Sequence, residues 1–174
     1  MNGVRDDAVV SVTYSSLSAR HRARAWVQAL ALAATEGGGR AVTVGRYGSR
    51  VRTSTIVAPS DPAAALAGLV DLHDRGMCEP LPMATKTSAA YATARLGGGT
   101  VEQALESAGR EWRSSFGGER EDRPVRYVWG ESAVLTDLLA AAPGDGEQWP
   151  GETTRFGALA CRLWAPVRNA EQLS

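Results

Sequence analysis

The chain has 174 residues, 44% hydrophobic and 22% charged, and its 19 basic and 19 acidic side chains cancel to zero net charge. Those proportions are ordinary for a soluble globular protein of one domain with a real core, and they exclude a disordered or fibrous chain. Cys78 and Cys161 lie far apart without a metal spacing, Met1 to Asp7 is too polar for a signal peptide, and the longest apolar stretch, Ala25 to Ala34, is too short for a bilayer and contains Gln28, so a cytoplasmic protein with reduced thiols and no membrane contact is expected.

Residues 9–14 read as a β-strand, Val-Val-Ser-Val-Thr-Tyr. Ser18 is placed to cap a helix running to about Thr35, with Ala23, Trp26, Val27, Leu30 and Ala34 on its inner face. Arg20, Arg22 and Arg24 cluster near its start, and Gly37-Gly38-Gly39 ends it. Residues 40–57 then spell a β-hairpin with its turn at Tyr47-Gly48-Ser49. Asp61-Pro62 starts a second long helix that Gly76 closes. Glu79-Pro80-Leu81-Pro82 is an extended linker, because each proline discourages helix in the residue before it.

Thr87 or Ser88 is expected to cap a short helix through Leu96, and Thr100 a further one to about Ser114. Phe116 to Arg123 reads as a charged loop, Val125 to Trp129 as a short strand, and Glu131 to about Ala141 as a helix. Residues 143–152 form a loop. The last helix starts at Thr153 or Thr154 and carries an amphipathic stripe of Phe156, Leu159, Ala160, Leu163, Trp164 and Val167. The tail after Asn169 is expected to fray. The whole of 1–174 reads as a single domain with a possible seam near 79–86.

Charge is unevenly placed. Residues 1–60 hold eight arginines against Asp6, Asp7 and Glu36, a balance of +5, and residues 61–174 carry −5. A basic first third suggests a polyanion there and protein surfaces elsewhere. The hairpin carries Arg40, Arg46, Arg50 and Arg52, and no carboxylate occurs from Gly37 to Ser60. Arginine pairs bidentately with phosphate and keeps its charge. The candidate DNA-binding residues are therefore Arg20, Arg22, Arg24, Arg46, Arg50, Arg52 and Lys86; the competing reading is a solvated helix and a hairpin charged against edge pairing.

A helix, a hairpin and a helix is the core order of a large class of metal-dependent nucleases. These need an acid on one strand and an acid-x-Lys on the next to hold magnesium. Here the hairpin offers Val, Thr, Ser and Arg. The one lysine, Lys86, has Ala84 two residues before it, so no catalytic residue, metal ligand or cofactor is assigned. Lys86-Thr87-Ser88 does not complete a phosphate loop, since Thr85 and Leu81 occupy the glycine positions. His21 has no partner nucleophile. Asp71 and Asp74 share a helix face but His73 does not, which fits a solvated helix end. Among five tryptophans, Trp149 in its loop and Trp164 on the last helix are the candidates for packing on a partner.

Four segments carry a resemblance across nearly the whole chain: Val12–Ser15 leading into the arginine-rich helix, Leu72–Pro82, Lys86–Ala92 and Thr154–Trp164. They resemble the C-terminal region of the RecC family, the gamma subunit of bacterial exodeoxyribonuclease V. The resemblance implies an α/β (α+β) fold with a degenerate restriction-endonuclease-like, RecB nuclease-like core: a small mixed sheet flanked by helices and a helix-rich C-terminal half. It also implies a non-catalytic DNA-guiding and subunit-docking domain of the RecBCD helicase–nuclease in double-strand break repair, with DNA and RecB-like and RecD-like subunits as partners. The alternative is a protein-interaction scaffold with no DNA contact.

Overall fold

Alternating β-branched residues build the first half of the chain. The computed structural model describes residues 2–5, 8–36, 38–115 and 117–174. Strands β1 (Asn2–Arg5), β2 (Ala8–Ser16), β3 (Arg40–Tyr47) and β4 (Arg50–Val57) are joined by a fifth strand, β5 (Glu171–Leu173), in the order β1-β2-β3-β4-β5. Only β2 and β3 run parallel, and helix α1 (Ala19–Glu36) makes the crossover between them, as parallel neighbours require. The other pairs are antiparallel. The fold is thus mixed α/β with a small mixed sheet.

The remaining helices are α2 (Pro62–Cys78), α3 (Thr85–Leu96), α4 (Val101–Arg113), the short α5 (Arg123–Trp129) and α6 (Arg155–Ala170). The chain divides into two units, Met1–Asp74 with Pro166–Ser174 and Arg75–Ala165. The first holds the sheet, and the second is helical.

In the sheet unit, α1 covers one face of the strands. Ala41, Thr43 and Gly45 of β3 and Ser54 and Ile56 of β4 are buried on that face. The helix meets them with Ala25, Trp26, Ala29, Leu30 and Ala33. The buried stripe therefore differs from the expected one: Val27 is half exposed and Ala34 exposed. Small residues win the inner positions because the backbones approach closely. A Cβ at Gly39 would lie 2.2 Å from the Ala29 carbonyl. Gly48, with φ +62°, makes the hairpin turn.

Helix starts follow local chemistry where it is strong. Asp61 accepts the Ala64 N–H at 2.9 Å, and Thr100 and Gln103 form a capping box at α4. Neither Thr87 nor Ser88 caps α3; both are buried inside it. Its leading N–H groups donate instead to Glu119, from Lys86 at 2.8 Å and Thr87 at 2.7 Å.

Four further expectations give way. Gly76 lies within α2, which continues to Cys78. Val125–Trp129 is helix rather than strand: Pro124 suits a first helical turn, and no neighbouring strand is there to pair with it. Glu131–Ala141 is reduced to a 3-10 turn at Leu135–Leu139. The tail does not fray but forms β5, where Ser174 and Thr53 exchange both backbone hydrogen bonds. Of the residues expected to shape loops and ends, Asp6, Asp7, Gly37 and Phe116 lie outside the described residues.

Candidate nucleic-acid interface

The register of the hairpin gathers its arginines at one end. Arg46 opposes Val51, Tyr47 opposes Arg50, and Gly45 opposes Arg52. Three guanidinium groups therefore sit within three successive pairs of the turn. The pleat sends Arg50 and Arg52 to the face covered by α1 and Arg46 to the other. Arg52 lies 3.5 Å above the centre of the half-exposed Tyr47 ring, which holds its planar group in place. Arg46 and Arg50 are exposed.

The start of α1 adjoins this tip. Leu17 donates its N–H to the Arg46 carbonyl at 2.9 Å, just before the helix begins. Ser18 and His21 close the first turn reciprocally. The Ser18 N–H donates to Nδ1 of His21 at 3.2 Å, and the Ser18 hydroxyl stands 2.9 Å from the same nitrogen. Arg20 and Arg24 are exposed beside it. The structure thus brings Arg20, Arg24, Arg46, Arg50 and Arg52 to one end of the sheet unit.

Two other candidates have structural duties. Arg22 grips Glu171 of β5: its Nε stands 2.8 Å from each carboxylate oxygen and its Nη2 bonds the second. Glu171 is nearly enclosed and also accepts from the Ser54 hydroxyl at 2.6 Å. Lys86 belongs to the helical unit, where its ammonium donates to the Gly117 carbonyl at 2.7 Å.

The two tryptophans differ. Trp164 is 3% exposed and donates its indole N–H to the buried Ser88 hydroxyl at 3.0 Å, so it is core and offers no partner surface. Trp149 is half-buried in its loop. The large side chains that do stand out are Tyr14, 95% exposed, and Tyr127, 92% exposed.

In the helical unit the charges hold one another. Arg155 binds Glu147 through Nε and Nη2, at 2.8 and 2.7 Å, and reaches Glu79 at 2.6 Å. The Arg155 hydrogen bonds hold the enclosed Glu147 carboxyl below its ordinary range, against the cost of burial. Glu152 takes a bond from Tyr91 at 2.5 Å and one from Arg95 at 2.6 Å. Burial pushes the Cys161 thiol up to about 12, which leaves it a small core residue rather than a nucleophile.

Among the described residues, no group of three or more His, Cys, Asp or Glu side chains stands where it would hold a metal ion. Described strands β1 to β4 contain no carboxylate, and the one in β5 is Glu171, already bound by Arg22 and Ser54. None of the described helices is long and apolar enough to cross a membrane.

The family model of the RecC C-terminal domain matches residues 1–96, which include β1 to β4, α1, α2 and α3. This chain belongs to the RecC C-terminal domain family. A RecBCD enzyme subunit RecC from Mycobacterium tuberculosis strain H37Rv is 40% identical over 168 residues, covering 93% of the chain and 15% of that protein. The RecC subunit of Mycolicibacterium smegmatis is 41% identical over 171 residues, covering 95% and 15%. The chain therefore spans about 15% of the length of the RecC relatives it matches.

Proposed function

We propose that this chain is a non-catalytic DNA-guiding and subunit-docking domain of a RecBCD-type helicase–nuclease, active in double-strand break repair by homologous recombination. All of 1–174 acts as that one domain, with DNA and RecB-like and RecD-like subunits as its partners. The observation that carries the reading is the hairpin tip: Arg46, Arg50 and Arg52 stand together with the basic start of α1, on strands that hold no acid. Phosphodiester hydrolysis by the two-metal route needs carboxylates on adjoining strands. Hydroxyl and guanidinium groups in their place bind a phosphate backbone without cutting it. The order helix, hairpin, helix and the parallel β2–β3 crossover support a degenerate restriction-endonuclease-like core. The relatives are named as subunits of a complex, and this chain matches a small part of each, which supports docking. Tyr127 and Trp149 are the aromatic groups placed to serve it.

Filter binding of linear duplex DNA at several salt concentrations tests the nucleic-acid half. Changing Arg46, Arg50 and Arg52 together to Ala is expected to weaken binding and to lower the salt slope by about three units, roughly one for each phosphate deprived of its arginine. Added magnesium is expected to leave the DNA intact; robust metal-dependent degradation defeats the reading. A second reading, a protein scaffold without DNA contact, draws on Arg22 and Lys86, whose charged groups are held by Glu171 and Gly117. An unchanged salt slope in the triple variant selects it.

A further inference from the structure

A crevice of about 180 Å³ opens between α1 and strands β2 and β3. Its polar walls come from three elements. Ser11 and Thr13 are two apart on β2, so both project toward the helix. Thr43 of β3 is the register partner of Ser11 and is buried beside it. His21, Arg24 and Gln28 are spaced by three and four residues, so they line one stripe of α1. Three hydroxyls, an imidazole, a guanidinium and an amide thus face a common space, with no carboxylate among the lining residues.

The imidazole has a defined hand. A backbone N–H can only donate, so Nδ1 of His21, which receives the Ser18 N–H, carries no proton in the neutral ring. The proton is then on Nε2, which stands 3.4 Å from the Ser15 hydroxyl at the crevice mouth. Arg24 and Gln28 add N–H donors, and each hydroxyl rotates to donate. A site rich in donors, carrying a fixed positive charge and no acid, selects an anion. The volume equals about six waters, enough for a tetrahedral oxyanion with part of its hydration.

We propose that this crevice seats a phosphate group, with Arg24 supplying the charge and Gln28, His21 and the Ser11, Thr13 and Thr43 hydroxyls the directed donors. The choice of phosphate over other oxyanions rests on the nucleic-acid reading above, but the test does not. Neither hairpin arginines nor Lys86 line this space.

The measurement is an NMR titration of the 174-residue chain with inorganic phosphate. Saturable shifts concentrated at Ser11, Thr13, His21, Arg24 and Gln28 are expected. Arg24→Ala and Gln28→Glu, the second placing an acid in the crevice at nearly constant volume, each weaken phosphate binding at least about tenfold. Arg110→Ala, an exposed arginine on α4, leaves it unchanged. Thr13→Val, which keeps shape and loses a hydroxyl, gives a smaller loss and guards against a folding artefact. Shifts spread evenly over the exposed arginines, or an Arg24→Ala variant that binds as tightly as Arg110→Ala, overturn the proposal. Competition by a thymidine tetranucleotide without terminal phosphates identifies a backbone diester as the source; competition by thymidine 5′-phosphate alone identifies a chain end; both support the seat. Loss of the hairpin effect on duplex DNA leaves this result standing, and failure here leaves the hairpin result standing.

Discussion

Arginine plays opposite parts in the two units. In the helical unit, Arg75, Arg95 and Arg155 each bond a carboxylate that is almost wholly enclosed, Glu147 or Glu152. In the sheet unit, Arg46 and Arg50 project from a hairpin without acids, while Arg22 grips the carboxylate of Glu171. Zero net charge therefore conceals two regimes, one of internal ion pairing and one of outward display. Composition reports their sum, and only position separates a scaffold charge from a recognition charge.

Substitutions that cross this divide sharpen it. The largest effect is expected from Glu147→Ala. It strips a fully enclosed carboxylate from Arg155 and Arg75, and removing one member of a buried pair costs about 3 to 5 kcal/mol. Urea denaturation measures it. The same carboxylate carries a pH signature. Its folded pKa lies below the unfolded value, so its stabilisation is complete above the unfolded value of 4.5 and disappears as pH falls through the folded one. Glu147→Gln is expected to be less stable at neutral pH and to lose less on acidification.

Arg22→Ala is next, at about 2 kcal/mol, because the nearly enclosed Glu171 is deprived of its guanidinium and keeps only the weaker hydroxyl bond from Ser54 to offset its burial. Its effect on DNA affinity is expected to be far below that of the hairpin variant. A larger effect on DNA than on stability would return Arg22 to the recognition set. Glu119→Gln is expected to cost about 1 kcal/mol, since one of two carboxylate oxygens that cap α3 becomes an amide. Helix content followed by circular dichroism during urea unfolding would register it. Smallest is the Arg46, Arg50 and Arg52 triple change to Ala, below about 1 kcal/mol in total, as exposed side chains with at most a cation–π contact. If that variant unfolds as readily as Glu147→Ala, the contrast between the units collapses.

Local signals carry much of this architecture. Asp61-Pro62, the Thr100 capping position, Ser18 and the alternation of β2, β3 and β4 each place an element from a few neighbouring residues. What they cannot carry is distant partnership. Strand β5 exists because Glu171 and Leu173 meet Ile56 and Ser54, more than a hundred positions earlier. The cap of α3 comes from Glu119, 33 residues after Lys86. Period-two apolar spacing at Val125, Tyr127 and Trp129 misleads because no strand lies alongside to receive it. On α1 the choice between Val27 and Ala29 for the buried stripe is set by how near the sheet comes, which the helix itself does not encode. The arginine-rich tip is legible, being contiguous. The capture of Arg22 and the crevice beneath Arg24 are not, because each is assembled from three separate segments.

The split ownership of β5 has a consequence for biosynthesis. The sheet unit takes its first 74 residues and its final strand from opposite ends of this sequence, with Arg75–Ala165 between them. On a ribosome adding about 5 to 20 residues each second, β4 waits roughly 6 to 23 seconds for its last neighbour. During that interval Arg22 and Ser54 have been made and Glu171 has not, so the intervening helices are fully synthesised before the sheet can be closed.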